Sequence, residues 1–159
     1  MDTILIGVLA TALFDVWLAF VQPRIFGSPF NGFPSFGRWV GNFPKGRFIY
    51  DDFAKAAPVA HENLIGWIFH YAVGILFTGI LVFVWGTDWL AAPNLTPALI
   101  VGIGSVVAPL CIIQPAYGLG FFASKTPKPR QAQMRSLVGH TVFGFCLYAA
   151  GLVVATWLA

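Results

Sequence analysis

Residues 66–74, Gly-Trp-Ile-Phe-His-Tyr-Ala-Val-Gly, lie inside the long apolar run 62–85. About 20 apolar residues are enough for a helix to cross the hydrocarbon core of a membrane. An ionisable side chain inside such a helix is costly unless it faces inward and finds a partner. The stretch therefore predicts a membrane-spanning helix and a buried polar layer that includes His70.

The composition of the whole chain places it among integral membrane proteins. Its 159 residues are 58% hydrophobic and 9% charged, whereas a soluble domain carries roughly 25% charged residues. We predict an all-α fold, an integral membrane four-helix bundle that forms one membrane domain over residues 1–159. Apolar segments predict its spans at 3–21, 62–85, 96–117 and 136–158, with loops at 22–61 and 118–135.

The first loop contains two segments with different patterns. Gln22-Pro23 is expected to end the first helix because proline cannot continue the hydrogen-bond ladder. Residues 29–37 are rich in Gly, Pro and Phe, which predicts an irregular loop at the membrane surface. Residues 46–57 have apolar side chains on one helical face and charged side chains on the other, which predicts a short interfacial amphipathic helix.

The basic residues predict the orientation. All nine Lys and Arg residues lie in the first and third connections, and the positive-inside rule places such loops in the cytoplasm. Both termini are then expected on the periplasmic side of a multi-pass protein. Because the basic residues form no run, no nucleic-acid partner is expected, and the lipid bilayer is the first partner of the chain.

Two short motifs recur in the same order and indicate an internal repeat. The first and third spans finish in Gln-Pro, at Gln22 and Gln114, while the second and fourth carry His-x-x-x-Gly, at His70 and His140. We predict two parallel helical hairpins, an arrangement known in transporters, which have binding sites near the repeat interface.

Most polar residues of the spans are expected near one end of the bundle. At a rise of 1.5 Å per residue, Asp15 lies roughly 10 Å inside the cytoplasmic edge, close to the depth of the two histidines. Small residues near these side chains indicate inward helix faces. We predict a ligand pocket facing the cytoplasm and lined by Asp15, Gln22, Glu62, His70, Gln114, Ser136 and His140.

Several roles fit this polar layer. Its members can hydrogen-bond the helices together without further function, or they can bind or transport a small ligand or move protons. His70 and His140 can hold haem b, and with Asp15 they can bind a metal ion. A further hypothesis is acid–base catalysis on a lipid or isoprenoid, carried out by Asp15 or Glu62 together with a histidine. No recognisable catalytic motif supports an enzyme.

Charged residues of the first loop and the lipid-facing spans suggest other contacts. Arg38 and Arg47 can bind anionic headgroups, and Asp52 can belong to a lid over the polar layer. The chain can also be a non-catalytic accessory subunit of a larger membrane complex or can form a homo-oligomer.

A set of short motifs distributed over nearly the whole chain resembles a family of small bacterial inner-membrane proteins. These motifs are Gly46-Arg47-Phe48, Glu62, Gly66-Trp67, His70-Tyr71, Gln114-Pro115, Gly118-x-Gly120, Ser136-Leu137 and His140. The family is known only as a domain of unknown function with four predicted spans. The resemblance implies a bacterial inner membrane and supplies no catalytic or cofactor residues.

Overall fold

The computed structural model of the protein describes residues 1–27 and 29–158, and this part of the chain is helical without strands. Its α-helices are α1 (Asp2–Phe26), α2 (Pro34–Gly41), α3 (Glu62–Trp85), α4 (Asp88–Ala91), α5 (Leu95–Ala116) and α6 (Pro129–Leu158). Within the described residues, four of them (α1, α3, α5 and α6) are long and apolar enough to span a membrane. The predicted all-α class with four membrane helices is confirmed.

The chain divides into two compact units. Unit 1 comprises Met1–Pro29, Tyr71–Ser105 and Leu137–Ala159, and unit 2 comprises Phe30–His70 and Val106–Ser136.

All four long helices contribute to the apolar core of unit 1. Its buried members are Ile6, Ala10, Leu81, Trp89, Ala98, Val101, Phe143, Leu147, Ala150 and Val154. In a membrane, lipid is as apolar as these side chains, so close van der Waals packing holds the helices together. The buried hydroxyls of Thr11 and Thr78 are satisfied by carbonyl oxygens one turn back on their own helices, at 2.7 Å and 3.0 Å.

Helix α1 contains a π-helical turn over Trp17–Val21 and continues through Pro23 to Phe26. The prediction that Gln22-Pro23 ends the helix is therefore wrong. In the wider turn, the amide of Gln22 donates to the carbonyl oxygen of Trp17, five residues back. The Arg24 side chain donates to the carbonyl oxygen of Phe20.

Helix α5 has the same irregularity at the corresponding place. Its π-helical segment, Ala108–Ile113, includes Pro109 and immediately precedes Gln114-Pro115. Thus both Gln-Pro pairs follow directly after a π-helical segment. Such segments are rare in α-helices and are often found at functional sites.

The first connection does contain a short helix, but it lies at Pro34–Gly41 and not at residues 46–57. Proline suits the first turn of a helix, where its missing amide costs nothing. Trp39 on this helix is buried and donates through Nε1 to the carbonyl oxygen of Phe48, at 2.8 Å. The aromatic residues predicted to form an irregular loop therefore include a packed helix.

Residues 46–57 form no α-helix because their backbone is bonded elsewhere. The amide of Tyr50 donates to the carbonyl oxygen of Ala116 at 2.8 Å, and that of Phe53 donates to Tyr117 at 3.4 Å. Only a 3₁₀ turn forms in this stretch, over Phe53–Lys55. Amphipathic periodicity predicted the wrong structure here because it carries no information about distant backbone partners.

The other two predicted connections also contain helical residues. Helix α4 occupies part of the second connection, and Trp89 on it donates to the carbonyl oxygen of Asn94 at 3.0 Å. Helix α6 begins at Pro129, again a proline in the first helical turn, so Ser136 lies within a helix and not at its start.

Candidate functional site

Asp15 in unit 1 is paired with a tyrosine from another helix. The hydroxyl of Tyr71 on α3 donates to Oδ2 of Asp15 on α1 over 2.9 Å. This bond supplies the kind of partner that a carboxylate inside a membrane span needs.

His140, also in unit 1, is paired with a serine from another helix. Ser105 on α5 and His140 on α6 are joined by a hydrogen bond of 2.6 Å between Oγ and Nδ1. The same Oγ lies 2.6 Å from the carbonyl oxygen of Gly102. One hydroxyl thus connects the imidazole ring to the backbone of α5.

Glycines let these helices approach closely. A Cβ built on Gly74 would contact the hydroxyl of Thr11 and would lie 3.5 Å from the carbonyl oxygen of Gly7. A Cβ built on Gly144 would lie 3.1 Å from the Cα atom of Leu99. Each glycine stands four residues after its histidine. Both glycines thus lie where their helix meets a neighbouring helix closely.

Glu62 in unit 2 forms a bidentate ion pair. Nε and Nη2 of Arg38 donate to the two carboxylate oxygens of Glu62 at 2.9 Å and 2.8 Å. Hydrogen bonding to the carboxylate raises the pKa of the Arg38 guanidinium above its ordinary value. The pair connects α2 to the first turn of α3. Glu62 was predicted to line a pocket and Arg38 to bind headgroups, and here the two side chains bind each other.

His70, in the same unit, lies against aromatic rings. Its imidazole stacks on Phe33 with ring centroids 4.0 Å apart and planes 27° apart. Trp67, one turn earlier on α3, meets the histidine edge to face at 6.1 Å. The ring faces of His70 thus contact side chains from the first connection and from its own helix.

Gln114 belongs to a group of polar atoms in unit 2 that are buried without a hydrogen-bond partner. The others in this unit are the hydroxyls of Tyr50 and Tyr117 and Oδ1 of Asn42. Phe53 stacks on Tyr117 with ring centroids 3.9 Å apart, and burial raises the pKa of that phenol. Buried polar atoms without a partner are few in folded proteins, so each of these calls for a partner such as an ordered water.

The remaining predicted residues have simpler surroundings. Gln22 is half-buried at the end of the π turn, and Ser136 is half-buried within α6. Arg47 is exposed. Asp52 is exposed as well, accepts a hydrogen bond from the amide of Ala54, and pairs with Lys55 at 3.2 Å. It caps the 3₁₀ turn.

Sequence reasoning missed Tyr71 and Ser105, the partners of Asp15 and His140. A serine inside the apolar third span was a visible signal for Ser105. Tyr71 is named only within the His70-Tyr71 motif of the family resemblance, which assigns it no role. Among residues 1–27 and 29–158, no group of three or more His, Cys, Asp or Glu side chains is placed to hold a metal ion.

Comparison with known proteins gives one match. Residues 4–154 match the family described as "Protein of unknown function (DUF2938)". No curated protein and no solved structure matches the chain.

Proposed function

We propose that the chain, which belongs to the DUF2938 family, binds or transports a small ligand through polar side chains inside its membrane spans. The observation that carries the proposal is the pairing of Asp15 with Tyr71 and of His140 with Ser105. Each pair joins an ionisable residue on one helix to a hydroxyl on another. Ionisable residues held in this way are typical of ligand and ion pathways in membrane proteins.

Two observations support a parallel repeat as the framework of such a site. Both Gln-Pro pairs follow a π-helical segment, and the glycines of both His-x-x-x-Gly motifs lie against a neighbouring helix. Parallel repeats are a common basis of transporter folds. Every Lys and Arg lies in the first or third connection or in the two turns of α1 and α6 next to them, which supports periplasmic termini. We propose the bacterial inner membrane as the location.

Replacing Asp15 by asparagine tests the role of the carboxylate. The expected result is a loss of ligand affinity of about tenfold or more, because a hydrogen bond to a charged group contributes about 1.5–3 kcal/mol. Asparagine keeps the size of the side chain and an oxygen that can accept from Tyr71. Ligand binding is measured as a rise in melting temperature of the detergent-purified protein with methylammonium, acetate or glycerol as probes.

Asp2→Asn on the same helix is the control and should leave any such shift unchanged. If Asp15→Asn lowers the melting temperature without altering probe affinity, Asp15 only packs the helices. If none of the three probes stabilises the wild-type protein, binding of small polar ligands of these classes is excluded.

A further inference from the structure

We infer that Ser105 holds His140 with a proton on Nδ1, so that the Nε2 atom is the hydrogen-bond acceptor which His140 offers to a ligand. The position of the proton on Nδ1 follows from geometry alone. Only the role of Nε2 in binding a ligand rests on the proposed function. It also indicates which class of ligand the site accepts.

The geometry at Ser105 leaves one arrangement of protons. Its Oγ atom lies 2.6 Å from the carbonyl oxygen of Gly102 and 2.6 Å from Nδ1 of His140. A serine hydroxyl has one proton, and a carbonyl oxygen can only accept. The hydroxyl therefore donates to Gly102 and must accept from His140. Nδ1 carries the proton of that second bond, and in the neutral ring Nε2 has the lone pair.

The packing of α5 on α6 keeps this arrangement in place. A Cβ built on Gly102 would contact the Cα atom of Gly144 and would lie 2.9 Å from the carbonyl oxygen of His140. The two backbones are in contact within one turn of the Ser105–His140 bond. Because Ser105 is buried, the serine cannot easily turn away to another partner. We assign Ser105 as a positioning residue for the imidazole.

The ligand class follows from the two ionisable residues of unit 1 that are paired with hydroxyls, His140 and Asp15. Neutral His140 presents a lone pair on Nε2, and the Asp15 carboxylate, which accepts from Tyr71, can only accept. Groups of this kind attract ligands that donate hydrogen bonds, and the carboxylate adds attraction for a positive charge. A ligand that meets either group is accordingly expected to be a small ammonium or hydroxyl compound and not a carboxylate or a phosphate.

Nitrogen NMR of the ¹⁵N-histidine-labelled protein at neutral pH tests the inference, because protonated and unprotonated ring nitrogens have distinct chemical shifts. In the wild-type protein, the form of neutral His140 with the proton on Nδ1 should exceed the form with the proton on Nε2 by about tenfold. In Ser105→Ala this excess should disappear. Thr78→Val removes another buried hydroxyl that bonds its own helix and should leave the His140 spectrum unchanged. A proton on Nε2 in the wild-type protein overturns the inference, whether or not Ser105→Ala folds.

Titration with methylammonium and with acetate then separates the inference from the proposed function. Methylammonium should move the Nε2 resonance, while acetate should not. A response to acetate in place of methylammonium overturns the ligand class. If neither probe has an effect while Nδ1 is protonated, ligand binding at His140 is contradicted, and the role of Ser105 in positioning the ring is supported.

Discussion

Replacing Gly66 by alanine should destabilise the protein by about 3 kcal/mol or more, because the added methyl group has no space. A Cβ at this position would contact the carbonyl oxygen of Phe33 and would lie 2.8 Å from its carbonyl carbon. These are backbone atoms just before α2, and they cannot move aside as a flexible side chain can. Unfolding of the purified protein in detergent, followed by tryptophan fluorescence, measures the loss.

Gly79→Ala provides a matched control on the same helix. No atom lies within 4 Å of a Cβ built there, and alanine favours helix over glycine by about 1 kcal/mol. This variant should be as stable as the wild type or slightly more stable. Gly37→Ala should resemble Gly66→Ala, because its Cβ would contact the carbonyl oxygen of Glu62. Equal stability of Gly66→Ala and Gly79→Ala would contradict the close packing of α2 on α3.

Breaking the Arg38–Glu62 pair should have the second largest effect. Glu62→Gln keeps the shape of the side chain but presents one oxygen where the guanidinium now meets two. We expect a loss of about 2 kcal/mol, because hydrogen bonds to charged groups are worth about 1.5–3 kcal/mol. The side chains of Arg38 and Glu62 are 26% and 21% exposed. Water therefore reaches them and can replace part of the lost hydrogen bonding. Chemical or thermal unfolding in detergent gives the difference in stability.

A double-mutant cycle isolates the pair from the packing of its side chains. Arg38→Met, Glu62→Gln and the double variant should give a coupling energy of about 1–2 kcal/mol. Lys55→Met serves as the comparison, because its pairing with Asp52 is exposed and should contribute almost nothing. Strictly additive effects of Arg38→Met and Glu62→Gln would mean that the two charges do not stabilise each other.

The four membrane helices could be predicted because each depends on local composition. A run of apolar residues long enough to cross a membrane must bond its own backbone, and a helix does so without help from other segments. The predicted polar residues of the spans include Asp15 and His140, which the structure pairs with hydroxyls. The energetic cost of an ionisable side chain inside a membrane span identifies such residues as important, whichever residues surround them.

The partners of those residues could not be predicted, because they depend on which helix faces meet. Tyr71 follows His70 directly, so it projects about 100° away from it around α3, and no pattern of residues favours that face over the one with His70. The position of α2 depends likewise on distant contacts. Arg38 reaches Glu62 across 24 residues of sequence, and the backbone of residues 50–53 bonds to the end of α5.

The π-helical turn at Trp17–Val21 has a consequence for changes in chain length. Inserting or deleting one residue in a regular helix rotates everything beyond it by about 100°, which moves every side chain to another face. A π-helical turn already contains one residue more than an α-helical turn in the same place. Deleting a residue from this turn would yield regular α-helix and keep Asp15 and Gln22 on their present faces. A one-residue deletion should therefore be tolerated better in this turn than in the regular part of α1 before it.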